Sequence, residues 1–358
     1  MTYFGIEEEY FLLDRKTLAP VPLGPPAREV IAAGTLPGTV SAEFLTCQVE
    51  YSTSPVTALA DAGTELRDAR AALAGFARAN DAIGASSGTP FGTGAPATTS
   101  PSARYATISR WLGDLVGEHQ VNGTHIHVEI PDAEDRIRAM NALRPWLPVL
   151  LSLSANSPYW HESDTNFRSW RSILLRRFPT FGSPPHFQDA SHYEATVNRL
   201  IDSGGVPDAA SLSWMARISE RFPTVEVRVF DAQLTVDDAL LLASLTRALL
   251  LSAPSPTAPI DTDTIDTSLW IAAREGLDAR LTHPLSGGVT AARALVRLLL
   301  RMLAPALQAN GDLDFVEDRL MRTLRDGTGA DRQRAAFDAN GIDGLRSLLV
   351  GQERASAA

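Results

Sequence analysis

Three short stretches place carboxylates, imidazoles and a guanidinium at alternate positions: GIEEEYF from Gly5, THIHVEI from Thr124 and VEVRVF from Val225. In extended chain, successive side chains point to opposite faces. Glu7 and Glu9 then share a face, opposite Ile6, Glu8 and Tyr10. His125, His127 and Glu129 share a face opposite Ile126, Val128 and Ile130, and Glu226 and Arg228 oppose Val225, Val227 and Val229. In QVEYST, Glu50 lies opposite Val49 and Tyr51, with Glu43 a short distance upstream. A sheet with one face in water shows the same alternation. Solvent faces favour Thr, Lys and Ser, however, and these faces carry Glu and His almost alone, plus Arg228.

Carboxylates that converge on one sheet face repel each other, and without compensation some must take up protons. Divalent cations resolve that conflict. Mg²⁺ and Mn²⁺ take oxygen ligands, and Mn²⁺ tolerates an imidazole. Mg²⁺ held by few carboxylates completes its shell with water and substrate phosphates. The residues therefore predict a floor for two or three metal ions that receives a nucleoside triphosphate. Arg228 is the positive group expected to face a transferring phosphoryl.

The elements that position these residues mix strands and helices without regular βαβ alternation, which predicts an α+β fold with an antiparallel sheet. Strands are expected over residues 1–13, 40–54, HIHVEI and VEVRVF, and helices over 57–81, 103–119, 133–154, 208–221 and 235–253. Residues 156–190, rich in aromatics, Arg, Pro and Gly, read as a structured loop region, and residues 253–266 as a mobile surface loop. The C-terminal third reads as mostly helical. A single domain over residues 1–350 and a flexible tail, GQERASAA, over 351–358 complete the expected organisation.

The 358-residue chain can bury a large core. A net charge of -10 argues against a nucleic-acid surface. No signal-peptide pattern opens the chain, and arginines interrupt its longest apolar segments, so no membrane span is expected. Cys47 is the one cysteine, which excludes an intrachain disulfide and fits a cytoplasmic setting. Lys16 is the one lysine and sits in a turn-like DRKT context. A Walker A loop and a placed Schiff-base lysine are thereby excluded.

Taken in order, GIEEEYFLLD, the pair Glu43 and Glu50, NGTHIHVEI, SANSPYWHESDTNFRSWRS and PTVEVRVFDAQLTVDDA resemble the glutamate–cysteine ligase type 2 family. More narrowly, they resemble its bacterial carboxylate-amine ligase branch, as do LWIAAREGLDARL and DRQRAAF near the C-terminus. The resemblance implies a glutamine synthetase-like catalytic domain, with a curved antiparallel funnel and helices on its outer face. It implies Glu7, Glu9, Glu43, Glu50, His125 and Glu226 as metal ligands and His127 beside the nucleotide phosphates. Arg228 matches an arginine on the γ-phosphate and acyl phosphate, and Arg171 a contact to the substrate carboxylate. The implied reaction uses ATP with Mg²⁺ or Mn²⁺ to activate a carboxylate, plausibly that of glutamate, for attack by an amine. A homo-oligomer, such as a dimer, is the family's expectation.

Two other readings compete. HxH suggests a metallohydrolase, although carboxylates outnumber histidines here. A non-catalytic relative that binds nucleotide or amino acid would keep the fold without the activity. Cys47 points away from the Glu50 side by strand parity and reads as a core thiol. Glu8, on the face opposite Glu7 and Glu9, reads as bonded to a helix or exposed. The glycine-rich stretch Gly84–Gly94 reads as a turn that resembles the family's Gly-Thr-Pro-Phe loop. Nothing in the residues names the amine.

Overall fold

The computed structural model describes residues 2–94, 97–252 and 260–355, the last few of these by backbone alone. The elements run β1 (Phe4–Asp14), α1 (Gly24–Ala32), β2 (Thr39–Ala42), β3 (Gln48–Ser52), α2 (Leu59–Ala79), β4 (Ala82–Ala85), α3 (Ala103–Leu112), β5 (Gly123–Glu129), α4 (Ala133–Leu143) and α5 (Leu147–Ser154). They continue with β6 (Tyr159–Trp160), β7 (Ser163–Asp164), α6 (Trp170–Leu175), α7 (Ala190–Asp202), β8 (Ala216–Ile218), β9 (Thr224–Asp231), α8 (Val236–Ser252) and α9 (Thr262–Glu275). Last come β10 (Arg280–Thr282), β11 (Val289–Ala291), α10 (Ala292–Asn310), α11 (Leu313–Asp326) and α12 (Gly329–Ala355), the last broken at Asn340 and Gly341.

The main sheet is antiparallel in the order β2-β3-β1-β5-β9-β8, with β4 also paired to β1. An α+β class is the result. β1 is the pivot: β3 runs along one edge, while β5 takes the first half of its other edge and β4 the second.

One face of this sheet is a core face. Ile6, Ile126, Val128, Val225 and Val227 have no exposed area and pack under helices such as α4, α5 and α8. Helix α8 is apolar on nearly every side and almost wholly buried, as a helix must be when other elements surround it. α2 covers its share with Leu66, Ala69, Leu73 and Ala77, a stripe at helical spacing. Among the described residues no helix is long and apolar enough to cross a membrane.

Several expectations change. Residues 40–54 form the β2–β3 hairpin rather than one strand, and Glu43 stands just past the end of β2. The segment 208–221 is not a helix: after a short 3-10 turn it becomes β8, the edge strand beside β9. Its apolar residues look helical in spacing, but pairing with β9 decides the outcome. The 156–190 region contains the short hairpin β6–β7 and helix α6, and α7 follows it. Of the loop expected over 253–266, residues 253–259 lie outside the described residues, and α9 already begins at Thr262. α12 runs through Ala355, into the expected tail, and residues 356–358 lie outside the described residues.

β9 contains the irregularity that matters most for the site. Thr124 pairs with Phe230 but Ile126 with Val227, so β9 spends one residue more than β5 across this step. This β-bulge resets the parity of the strand. Glu226 and Arg228 face one way before it, and Asp231, opposite Gly123, rejoins that face after it.

Candidate active site

Strand pairing brings the polar alternates together on the face opposite the helices. Glu7 lies across from His125, Glu9 from Glu50, and His127 from Glu226. Glu7 reaches both imidazoles, with one carboxylate oxygen 3.2 Å from His125 Nδ1 and the other 3.3 Å from His127 Nε2. His125 Nε2 lies 3.7 Å from Glu9. Glu7, Glu9, Glu43, Glu50, His125, His127, Glu226 and Arg228 all line one cavity of about 690 Å³.

Three overlapping clusters sit on this floor: Glu7, His127 and Glu226; Glu7, Glu50 and His125; and Glu9, Glu43 and Glu50. Within each, one ligand atom per residue lies within 4.8 Å of the others. The electrostatics show where positive charge is short. Burial, and then the charge of Glu43, push the Glu9 carboxyl up to about 8. Burial and the charges of Glu7, Glu43 and Glu9 push Glu50 well above the carboxylate range, and burial raises Glu43 as well. Glu7 goes the other way. Burial opposes its charge, but hydrogen bonds from His125 and His127 outweigh that and hold it low.

Among the described residues, the crowd of oxygens around Glu50 has no cation bonded to it comparable to the guanidiniums on Glu226. Hard oxygen donors with an imidazole or two suit Mg²⁺ or Mn²⁺. The donor set therefore fits divalent cations.

Glu226 is held differently. It accepts hydrogen bonds from Arg217 Nε at 2.8 Å and Nη2 at 3.1 Å, and from Arg228 Nη1. These two guanidiniums outweigh burial and keep its carboxyl well below the usual range. The Arg228 side chain is 25% exposed, enough for its guanidinium to meet a ligand in the cavity. Burial lowers the His125 imidazole to about 4, with the Arg228 charge adding to the effect, so the ring is neutral and free to coordinate.

Arg171 does not line the cavity. It is buried at the end of the floor, where its Nη2 donates to the Arg228 carbonyl at 3.3 Å and its Nη1 lies 3.9 Å from Asp231. Gly123 makes room for it: a Cβ there would fall 2.5 Å from Arg171 Nη2 and 3.1 Å from His125 Nε2. Asp231 has no exposed area and accepts from the Asn156 amide at 2.8 Å, Ser157 Oγ at 2.7 Å and Ser169 Oγ at 2.8 Å. The loop from Asn156 to Ser169 is thus tied to the end of β9 through one carboxylate.

Sequence reasoning missed Arg217 and Asp231. Arg217 fell within an expected helix, and no residue pattern announces the bulge that turns Asp231 inward. Glu8 takes the first of its two expected readings. On the core face it accepts from Arg70 of α2 at 2.9 and 2.6 Å and from the Tyr10 hydroxyl. Cys47 is buried in a second core cluster, and burial pushes its thiol up to about 12, which leaves little thiolate for nucleophilic chemistry.

Comparisons with known proteins identify the family. The family model described as glutamate-cysteine ligase family 2 matches residues 3–351. A protein of Nocardia farcinica named "Putative glutamate--cysteine ligase 2-1" is 40% identical over 348 residues, 94% of this chain and 89% of its own. One of the same name from Rhodococcus jostii is 37% identical over 340 residues, 93% of this chain and 91% of its own. Among solved structures, a glutamate–cysteine ligase from Francisella tularensis in complex with AMP is similar, with a TM-score of 0.70 at 14% identity, over 99% of this chain and 88% of that one. A bifunctional glutathione synthetase from Pasteurella multocida superposes with a TM-score of 0.71 at 15% identity. This chain is 99% covered in that superposition but spans only 52% of the Pasteurella protein. The chain belongs to glutamate–cysteine ligase family 2 and is an ATP-dependent carboxylate–amine ligase.

Proposed function

We propose that the chain activates the γ-carboxylate of glutamate as an acyl phosphate and joins it to an amine on a glutamine synthetase-like sheet. The observation that carries this reading is the floor of three overlapping carboxylate and imidazole clusters beside the Glu226–Arg228 pair. In the reading, Glu7, Glu9, Glu43, Glu50, His125 and Glu226 hold Mg²⁺ or Mn²⁺. Bound there, the cations neutralise phosphate charge and let two anions approach.

The chain's own groups do the rest. His127 and Arg228 lie where the triphosphate would cross the floor. A carboxylate oxygen attacks the γ-phosphorus, ADP leaves, and the Arg228 guanidinium meets the charge on the transferred phosphoryl. The amine then adds to the acyl carbon and phosphate departs with the former carboxylate oxygen. Arg171 supports this geometry by holding the Arg228 carbonyl. Its buried Nε and Nη1 have no hydrogen-bond partner among the described residues, so Arg171 also stays a candidate for the substrate carboxylate contact that the family resemblance implies. ATP, an amino acid and an amine would be the small-molecule partners, and a cytoplasmic homo-oligomer is the setting that fits the family.

The test is ADP release in the presence of Mg²⁺, ATP and glutamate against a panel of amines, with Glu226→Ala as control. Release that depends on both glutamate and amine, and disappears in the variant, supports the reading. Tight binding of Mg-ATP with no release under any combination would favour the non-catalytic alternative.

A further inference from the structure

The cavity has two unlike walls. Below lies the carboxylate floor. Above it lies α3, whose Tyr105, Ile108 and Trp111 stand at three-residue spacing and so share one helical face. Leu112 is the one residue of this helix that is buried, and it lines the same cavity. Tyr105, Ile108 and Trp111 are only partly buried and line the cavity, together with Leu175 and Phe178.

These side chains form a continuous apolar surface. Tyr105 meets Phe44 with ring centres 5.5 Å apart, Phe44 meets His119 at 5.6 Å, and His119 meets Phe178 at 4.8 Å. Trp111 stacks on Phe178 at 6.3 Å. The polar ends of the aromatic residues are used elsewhere. The Tyr105 hydroxyl donates to the Ala42 carbonyl at 3.0 Å, and Trp111 Nε1 donates to the Gly204 carbonyl at 3.2 Å. Only the ring bodies are left for the cavity. His119 adds no charge, because burial and the charge of Arg177 lower it to about 3.

We propose that the acceptor amine carries a hydrocarbon side chain that packs on this wall of Tyr105, Ile108, Trp111, Leu175 and Phe178. The inference rests on the ligase reading above. Charge complementarity selects the occupant. A nucleoside triphosphate is a polyanion, and the β8–β9 hairpin end of the cavity offers it Arg221 beside Ile218 and the 58% exposed Phe222. Glutamate is charged at both ends and has little hydrocarbon to bury. The acceptor is the remaining reactant. A polar side chain against the wall would lose its hydrogen bonds to water and find none in return.

The test compares L-leucine and L-phenylalanine with L-serine, L-aspartate and L-cysteine as acceptors, following ADP release with saturating Mg-ATP and glutamate. The inference expects kcat/KM to favour a hydrocarbon acceptor by roughly 10- to 200-fold over serine. Trp111→Ala should lower that preference about tenfold, leave KM for ATP within about twofold, and recover with Trp111→Phe. Equal or better turnover of serine, aspartate or cysteine would overturn the inference while the ligase reading stands. A raised KM for ATP in Trp111→Ala would assign the wall to the nucleotide and overturn it too. No ADP release with any amine would overturn the ligase reading itself, and this inference with it. Should Trp111→Ala fail to fold, the wild-type ranking of amines decides alone.

Discussion

Glu226 and Arg217 face each other across the β8–β9 ladder, and the guanidinium grips the carboxylate with two hydrogen bonds, at 2.8 and 3.1 Å. Arg228, two residues along β9, holds the same carboxylate from the other side. The edge strand thus fixes the rotamer of a group that belongs to a candidate metal cluster and anchors Arg228.

Glu226→Gln keeps the shape but removes the charge that orients both arginines. The expected cost is roughly 10²- to 10³-fold in kcat, the scale seen when one transition-state stabilising group is lost. Steady-state ADP release measures it, and a loss below about tenfold would mean that Glu226 is not part of the machinery.

The Glu9, Glu43 and Glu50 cluster crowds like charges, so its members oppose folding when no cation is bound. Glu50→Gln is expected to raise the metal-free Tm at neutral pH, because it removes the cost of forcing this carboxyl to hold a proton that it releases in the unfolded chain. It should also shrink the rise in Tm that Mg²⁺ gives the wild type, since binding to the folded state stabilises it by mass action. Thermal melts with EDTA and with Mg²⁺ check both. Equal Mg²⁺ stabilisation of the variant and wild type would exclude Glu50 as a ligand.

Asp231 and Arg171 form a buried pair whose members are 0% and 5% exposed by side chain. Burial raises the Asp231 carboxyl and lowers the Arg171 guanidinium, so each charge depends on the other to stay. Asp231→Asn leaves Arg171 without its counter-charge and gives up acceptors for Ser157, Ser169 or the Asn156 amide. The expected loss is about 3–5 kcal/mol in urea unfolding, the scale for breaking a buried pair from one side. Arg171→Leu combined with Asp231→Asn should cost less than the sum of the two. Additive losses would show that the residues do not act as a pair.

His119 carries a pH signature separate from the floor. Its folded value of about 3 lies below the ordinary 6.5, held there by burial and then by Arg177. Above 6.5 the ring is neutral in both folded and unfolded chains and costs nothing. As pH falls from 6.5 towards 3 the unfolded chain gains a proton that the folded one refuses, so stability is lost over that window. His119→Phe should lose less stability than the wild type between about pH 7 and pH 4.5. Identical losses would mean that the imidazole is charged in the folded protein.

How much of this was legible in the sequence depends on parity. Glu7 with Glu9, His125 with His127, and Glu226 with Arg228 could be placed because alternation within a regular strand fixes the face. Their mutual approach follows from strand order, which alternation alone does not give. Glu43 reaches the cavity from the turn of a hairpin, so its spacing from Glu50 along an imagined single strand was misleading. Asp231 was hidden because a bulge reverses parity and leaves no residue signature. Arg217 was hidden because a three-residue edge strand carries too little periodicity to compete with a helical pattern. The α3 wall was read as an ordinary helix, since a stripe facing a cavity looks the same in sequence as one facing a core.

The central claim, an acyl phosphate made on this floor, is tested most directly by following an oxygen atom. Glutamate labelled with ¹⁸O in its γ-carboxylate is turned over with Mg-ATP and an accepted amine, and the released phosphate is analysed by mass spectrometry. The account predicts one labelled oxygen in each phosphate, because the carboxylate oxygen that attacks the γ-phosphorus leaves with it. Unlabelled phosphate, or label found in AMP, would contradict it.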